Sequence, residues 1–328
     1  MKAPRIADDN FIRAQQRRAG AEIETGIEAE IQALHQLNAS QRWREFATFI
    51  TLYLVGALIA ALADHWLVIP GILLMGLAMN TLGIFLHEGL HGLLASDPRR
   101  NHLLSFLVGL PLLLSATAYQ TTHNDHHYDL GRKLDYGTYR QHLNKPGLVW
   151  AAYFAQLLIG SLIYILFIPV LAWKSGGGHA RRVILAEYLL IALLFILFAR
   201  SVSPSTLMTF WLYPLLIVNI LSNLRGVASH AMGDVEDIYC SSRTVHCSRW
   251  MEWLFLHENY HLEHHLYPRV PSYHLRALHH LIRARLPRAL EADSYLDFLR
   301  MFFRAARQLD LRPQGVRIQA PSIDKQTA

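Results

Sequence analysis

An all-α integral membrane protein is the fold class this sequence predicts, and three observations predict it. The 328 residues are 52% hydrophobic with mean hydropathy +0.18, yet 17% are charged. That is too apolar for an ordinary soluble domain and too charged for a chain wholly in lipid, so charge must be segregated from apolar segments. Four apolar runs also reach spanning length, and histidines recur in three clusters at helical spacing. The expected architecture is four transmembrane helices, one or two re-entrant or interfacial helices, and a cytoplasmic helical cap carrying the histidine clusters.

Residues 1–44 are polar and mixed in charge, with Glu22, Glu24, Glu28 and Glu30 near their middle. They contain no apolar core followed by a cleavage site, so the N-terminal segment is expected to stay in the cytoplasm. The first apolar run extends from Phe46 to Ala63 and the second from Leu67 to Leu86, joined by a loop with Asp64 and His65 but no Lys or Arg. Two more extend from Val183 to Ala199 and from Leu207 to Ser222, joined by Arg200 through Thr206. Positive charge collects on the opposite side, at Arg42, Arg44, Arg99, Arg100, Arg132, Lys133, Lys174, Arg181 and Arg182. This asymmetry predicts a multi-pass membrane protein with both termini and the histidine clusters on the cytoplasmic side.

Leu148 to Trp173 does not fit a simple count. A single crossing would put the second and third histidine clusters on opposite membrane faces. Two crossings would ask about 26 residues to supply spans that need roughly 20 each. The segment is therefore expected to enter and leave on one face or to lie in the interface, with Gly160 and Pro169 permitting a break. Leu103 to Ala118, interrupted by Gly109 and Pro111, is read the same way. Towards the C-terminus, Ser294 can cap an amphipathic helix through Gln308, with Leu296, Phe298, Leu299, Phe302, Phe303 and Ala306 as its apolar set. The expected organisation is a cytoplasmic N-terminal helical segment (1–44), a membrane domain (45–280), and a C-terminal amphipathic helix with a loose tail after Gln319 (281–328).

The histidine clusters are His87 and His91; His123, His126 and His127; and His261, His264 and His265. Spacings of i, i+3 and i+4 project the rings from one face of a helical turn. With 19 histidines in the chain, one His-x-x-x-His pair is expected by chance, but a His-x-x-His-His triplet about 0.06 times and two triplets roughly 0.002 times. Isolated histidines are ordinarily hydrogen-bonded core residues; eight in this pattern point to metal. Neutral imidazoles suit Fe, Zn, Cu or Ni, and Cys240 and Cys247 form no C-x-x-C pair that would support a thiolate or iron–sulfur site. Eight rings exceed what one ion can take, so two ions are expected. Glu88, Asp125 and Glu263, inside the clusters, are candidates to accept hydrogen bonds from the rings, or else are solvated surface charges.

These segments, His87-Glu88-Gly89-Leu90-His91, His123-Asn124-Asp125-His126-His127 and His261-Leu262-Glu263-His264-His265, resemble the three histidine boxes of the membrane fatty acid desaturase family. Leu266-Tyr267-Pro268, then Pro271, Tyr273, Leu275 and Leu278, resemble that family's continuation, and the likeness covers Phe46 to Leu278. The resemblance implies a non-haem di-iron centre (Fe2+/Fe3+) on the cytoplasmic side, with the eight histidines as ligands, dioxygen as co-substrate and a fatty acyl or other lipid substrate. Loss of two neighbouring hydrogens would leave a double bond. It also implies a ninth ligand, His230, following Asn223-Leu224-Arg225-Gly226-Val227-Ala228-Ser229. Gly226 stands where some members have Asn. His257 is read as a polar residue at a helix start, and His246, His279 and His280 as surface or interface residues. Trp250, Trp253 and Tyr260 are read as anchors at the membrane boundary.

Electrons must come from outside, because the chain has neither a His-Pro-Gly-Gly segment nor a G-x-G-x-x-G fingerprint after a strand. A ferredoxin, or cytochrome b5 with its reductase, is the expected donor, and membrane lipid a further partner. Formal charge +6 suits an acidic carrier or anionic lipid. Nucleic acid is not expected to bind so apolar a chain. Hydroxylases, ketolases and terminal-alkene-forming oxidases share the box pattern and remain alternatives. A different class is an intramembrane zinc protease, because His87 through His91 also match H-E-x-x-H, but that reading leaves both triplets without a task.

Overall fold

The computed structural model describes residues 11–128, 130, 135 and 138–318. Arg132, Lys133 and the tail after Gln319 lie outside the described residues. Helices α1 (Phe11–Glu24) and α2 (Glu28–Leu34) precede two long helices, α3 (Ala39–Leu62) and α4 (Val68–Leu90). There follow α5 (Pro98–Gly109), α6 (Ala116–Tyr128), α7 (Tyr139–His142), α8 (Pro146–Ser175) and α9 (Gly178–Ser201). Next come α10 (Pro204–Leu207), a π-helical turn at Met208–Leu212, and α11 (Tyr213–His230). The remainder alternates strand and helix: β1 (Arg243–Val245), α12 (Arg249–Leu254), α13 (His261–Leu266), α14 (Ser272–Ile282), β2 (Arg288–Ala292), α15 (Tyr295–Arg307) and β3 (Val316–Ile318).

The fold is therefore mostly helical but not all-α. The strands form one sheet in the order β1-β2-β3, with β1 parallel and β3 antiparallel to β2. Elements of three to five residues are too short to show a period of two, so the sequence carried no strand signal.

The described residues fall into two compact units. One comprises those of Met1–Gln36, Asp125–Phe154 and Arg225–Ala328, and the other Leu37–Asn124 and Ala155–Leu224. In the second unit, Asn38 caps α3 by accepting from the Gln41 amide at 3.0 Å, and Asp97 caps α5 by accepting from the Arg100 amide at 2.8 Å, with Pro98 in the first turn. Helices α3 and α4 cross at two glycines. A Cβ on Gly56 would stand 2.8 Å from the Gly71 carbonyl oxygen, and one on Gly71 would stand 2.6 Å from that of Gly56. Small residues at such a crossing let helices pack where lipid supplies no hydrophobic drive between them. Leu54, Leu58 and Leu62 of α3 remain well exposed, as side chains facing acyl chains must be.

Five helical segments are long and apolar enough to cross a membrane: Ala39–Leu62, His65–Leu90, Pro146–Ser175, Gly178–Ser201 and Pro204–His230. The sequence predicted four spans; among the described residues Pro146–Ser175, expected to be re-entrant or interfacial, also passes by length and composition. The break expected near Gly160 falls one residue earlier, at Ile159 (φ −137°, ψ 15°), and the helix continues through Pro169. An interrupted helix in lipid must find partners for its freed backbone groups. Asn219 donates to the Leu158 carbonyl at 2.8 Å, and Asn223 Oδ1 accepts from the Ser161 amide at 2.7 Å. The interruption at Gly109 and Pro111 is also present: Leu113 turns left-handed (φ 57°), and Ala116–His127 leaves Pro98–Leu112 at 98°.

The first unit has its own core, in which Ile23, Ile27 and Ile31 meet Leu262, Val270, Leu275, Leu278 and Ile282. Each such side chain contributes about 1.5–3 kcal/mol by leaving water. Ser294 caps α15 as expected, accepting from the Asp297 amide at 3.0 Å. That helix divides its apolar set: Phe298 and Phe302 are fully buried, Phe302 against the rings of Trp150, Tyr153 and Phe154, while Leu296 and Phe303 are exposed. Trp250 and Trp253 are exposed, whereas Tyr260, expected at the membrane boundary, is buried and donates to Glu252 at 2.8 Å. A phenol finding a carboxylate beside it has no need of the interface.

Candidate metal centre

Within the second unit, the last turn of α4 and the turn after it carry His87 and His91. Helix α4 stops there because Gly92 adopts φ +80°, a conformation open to glycine, and the Gly92 amide bonds back to the Gly89 carbonyl at 3.1 Å. Gly89 has a different task. A Cβ on it would lie 2.1 Å from Ser105 Oγ, so only glycine lets α5 come this close. Asn101 of α5 fixes the turn by donating to the Gly89 carbonyl at 2.7 Å and accepting from the Leu94 amide at 3.0 Å. His123, on α6, completes the group: its Nε2 is 2.9 Å from that of His91, and its ring centre 4.5 Å from that of His87. One donor atom from each of the three lies within 4.8 Å of the others.

The first unit holds the other six histidines. His126, His230 and His265 bring donor atoms within 4.8 Å of one another. His230, at the end of α11, places Nε2 3.2 Å from that of His126 and 2.9 Å from that of His261. His264 Nε2 stands 3.2 Å from His127 Nε2, and the His127 and His265 rings stack at 4.4 Å. The short helix α13 is held in place at its start, where the Val245 amide donates to the Asn259 carbonyl at 2.9 Å and Asn259 Nδ2 returns a bond to the Val245 carbonyl at 3.0 Å.

These residues fit a metal. Imidazole nitrogens about 2.1 Å from a shared ion stand about 3.0–3.4 Å apart at octahedral or tetrahedral angles. The observed separations of 2.9–3.2 Å fall at or beside that interval. His265 Nε2 is buried and has no hydrogen-bond partner among the described residues, and a buried polar atom in that position calls for a ligand. Burial, and then the rings of His127, His261, His230 and His126, push His265 well below the ordinary imidazole range. It is thereby kept in the neutral form that a metal requires.

The carboxylates differ from the sequence expectation. Glu88 is not a solvated charge: it is fully buried and accepts from Arg42 at 2.6 Å, while Arg42 also holds Glu45 at 2.9 Å. Arg42 is itself an interior cation. Glu263 pairs with His279 at 2.6 Å and with Thr244 at 2.6 Å, which places His279 in the interior rather than at the surface. Asp125 is half-buried.

The carboxylate that orients a ring is Asp135, which accepts from His126 Nδ1 at 3.0 Å and from Thr138 Oγ1 at 3.0 Å. Buried Glu258 stands 3.5 Å from His261 Nδ1 and 3.5 Å from Arg225. Sequence spacing signalled neither. His257 is in a left-handed turn (φ 62°), 4.0 Å from Glu252, and outside the histidine groups; His280 is exposed, and His246 bonds Glu291 at 3.0 Å.

The family model described as fatty acid desaturase matches residues 64–295, more than half of the chain. An sn-1 oleoyl-lipid 12-desaturase from Picosynechococcus sp. is 23% identical over 273 residues, covering 74% of this chain and 77% of that protein. With its long apolar helices, the chain is a membrane oxidoreductase of desaturase type, and it belongs to the fatty acid desaturase family.

Proposed function

We propose that this protein desaturates a fatty acyl chain carried on a membrane lipid, using dioxygen and electrons from a separate carrier. The proposed ligands are His87, His91, His123, His126, His127, His230, His261, His264 and His265, holding two irons on the cytoplasmic side of the bilayer. The observation that carries the reading is the gathering of His126, His230 and His265 donor atoms within 4.8 Å of one another, with the buried His265 Nε2 lacking a hydrogen-bond partner among the described residues. A di-iron centre supplies the oxidising power to take hydrogen from an unactivated C–H bond.

The chain's own residues supply position and protonation state. Asp135 accepts the Nδ1 proton of His126 and so fixes the tautomer that presents Nε2. Glu258 lies 3.5 Å from His261 Nδ1, close enough to favour a proton there without forming a hydrogen bond. A zinc protease built on His87 and His91 would leave both histidine triplets without a task, which favours the oxidase reading. The relative's name supports a lipid-borne acyl substrate, and the arginines at span ends support a cytoplasmic face that meets an acidic donor such as a ferredoxin, or cytochrome b5 served by its reductase.

Lipid profiling of a host expressing the chain tests the reading. New double bonds are expected with the wild type and not with His261→Ala. An unchanged profile with a new hydroxyl, keto or terminal-alkene product moves the assignment to those oxidations, and zinc rather than iron in the purified protein overturns it.

A further inference from the structure

A second lipid-sized feature lies away from the histidines, within the apolar unit. Helices α5 and α9 border an open groove of about 680 Å³. One end is lined by Arg99 and His102 at the start of α5 and by His179 and Arg182 at the start of α9. Two turns further along the same helices, its walls become Phe106 and Leu190.

The charge available there is positive. Glu187 lines the groove but is occupied: it accepts from Ser115, from the Thr117 amide at 3.0 Å and from Thr117 Oγ1 at 3.0 Å, and it pairs with His102 at 3.0 Å. Arg181 is occupied too, donating to the Trp173 carbonyl at 2.8 Å with its guanidinium over the Trp173 ring. Arg99 and Arg182 are exposed and form no ion pair among the described residues.

The apolar stripe of α9 continues past the groove. Val183, Glu187 and Leu190 are followed at helical spacing by Leu194 and Phe198. Those two, with Phe195, enter the wall of an apolar cavity of about 610 Å³ whose other sides include Phe49 of α3 and Phe85 of α4. No charged residue and no histidine lines that cavity. Its volume is that of a typical small-molecule site.

We propose that this face binds an anionic phospholipid, its phosphate between Arg99 and Arg182 and an acyl tail along the α9 stripe toward the Phe49–Phe85–Phe195 cavity. Two guanidiniums without ion pairs among the described residues, at the starts of α5 and α9 and beside apolar walls, match the charge and fork geometry of a phosphate headgroup. A free phosphate has no use for the apolar walls, and a zwitterionic headgroup brings its own cation to the arginines. The inference stands apart from the desaturation reading, because neither groove nor cavity includes a proposed iron ligand.

The test uses the full-length, metal-free protein in a neutral detergent, so that its outcome is independent of catalysis. Phosphatidylglycerol, phosphatidylcholine and inorganic phosphate are added separately, and bound lipid is read by native mass spectrometry alongside the thermal unfolding midpoint. Phosphatidylglycerol is expected to bind and raise the midpoint, the other two to leave it unchanged, and Arg99→Gln/Arg182→Gln to weaken binding about 30-fold. Equal stabilisation by phosphatidylcholine, or by phosphate alone, overturns the proposal. A wild-type measurement guards against misfolding of the variant: phosphatidylglycerol affinity must fall as salt rises, and a salt-independent affinity overturns the proposal as well.

Discussion

His230 Nε2 stands 2.9 Å from His261 Nε2, although the two residues are thirty-one positions apart and lie on α11 and α13. One N–H···N bond could satisfy one such pair. It cannot also satisfy His126 Nε2, at 3.2 Å from the same His230 atom, because each neutral ring has a single proton to donate. A cation shared by His126, His230 and His265, whose donor atoms lie within 4.8 Å of one another, removes the conflict. Replacing His230 by Ala is therefore expected to lower iron affinity by at least the tenfold to hundredfold typical of losing a residue that merely orients a ligand. Iron content after dialysis against graded chelator measures this; wild-type iron retention in His230→Ala removes His230 from the centre.

Asp135 tests whether orientation matters as much as ligation. Its carboxylate accepts from His126 Nδ1 at 3.0 Å, and Thr138 holds the other oxygen. Asp135→Asn keeps the shape but replaces the anionic acceptor with an amide, so iron affinity is expected to fall about 10- to 100-fold with little change in fold. The circular dichroism spectrum should match that of the wild type while the chelator titration shifts. If Asn at 135 titrates like Asp, the carboxylate has no hold on the ring.

Which parts of this arrangement a sequence can disclose follows from the range of each interaction. The i, i+3, i+4 spacing of His261, His264 and His265 is local, so their projection from one short helix could be read directly. Asp135 could not be read this way, because its place beside the His126 ring nine residues earlier is set by how the chain returns, and no periodicity marks it. Glu88 misled for the same reason: its neighbours in sequence are His87 and Gly89, but its partner in space is Arg42, forty-six residues earlier. Leu148 to Trp173 was expected to break and to enter and leave on one face or lie in the interface; it forms a helical segment kinked at Ile159. Asn219 and Asn223, on another helix, complete its interruption at Ile159.

Arg42 and Glu88 form a buried ion pair, with side chains 3% and 0% exposed. Breaking such a pair leaves a desolvated charge, and the cost is about 3–5 kcal/mol. Arg42→Met is expected to lower the unfolding free energy in detergent by that order, and Arg42→Met/Glu88→Leu to recover part of the loss, since only Glu45 is then without its arginine and Gln41 still donates to it at 3.1 Å. A double variant no better than Arg42→Met would show that Glu88 is needed for something other than this pair.

Acid sensitivity has an identifiable contributor in His257. Burial lowers its affinity for a proton; Glu252, at 4.0 Å, works in the opposite direction, and Arg276 adds to the lowering. A base whose folded form holds protons more weakly than its unfolded form loses stability as the pH falls, because below about 6.5 the unfolded chain takes up a proton that the folded chain resists. His257→Gln should flatten the decline of the unfolding midpoint between about pH 7 and pH 5.5. An identical slope in the variant assigns the acid sensitivity elsewhere.

Gly89 sits between the two histidines of α4, and its missing side chain is where α5 fits. Because a Cβ there would stand 2.1 Å from Ser105 Oγ and 3.0 Å from Ser105 Cβ, Gly89→Ala must push the helices apart or twist the end of α4. Overpacking of this kind costs about 1–3 kcal/mol. Gly89→Ala/Ser105→Gly removes both clashing atoms and should regain part of the stability, although Leu94 Cδ1, also at 3.0 Å, must still yield. Since His87 and His91 ride on the same turn, iron retention should fall in Gly89→Ala and rise again in the double variant. Stability restored without iron would mean that the turn can be repacked while its histidines remain out of place.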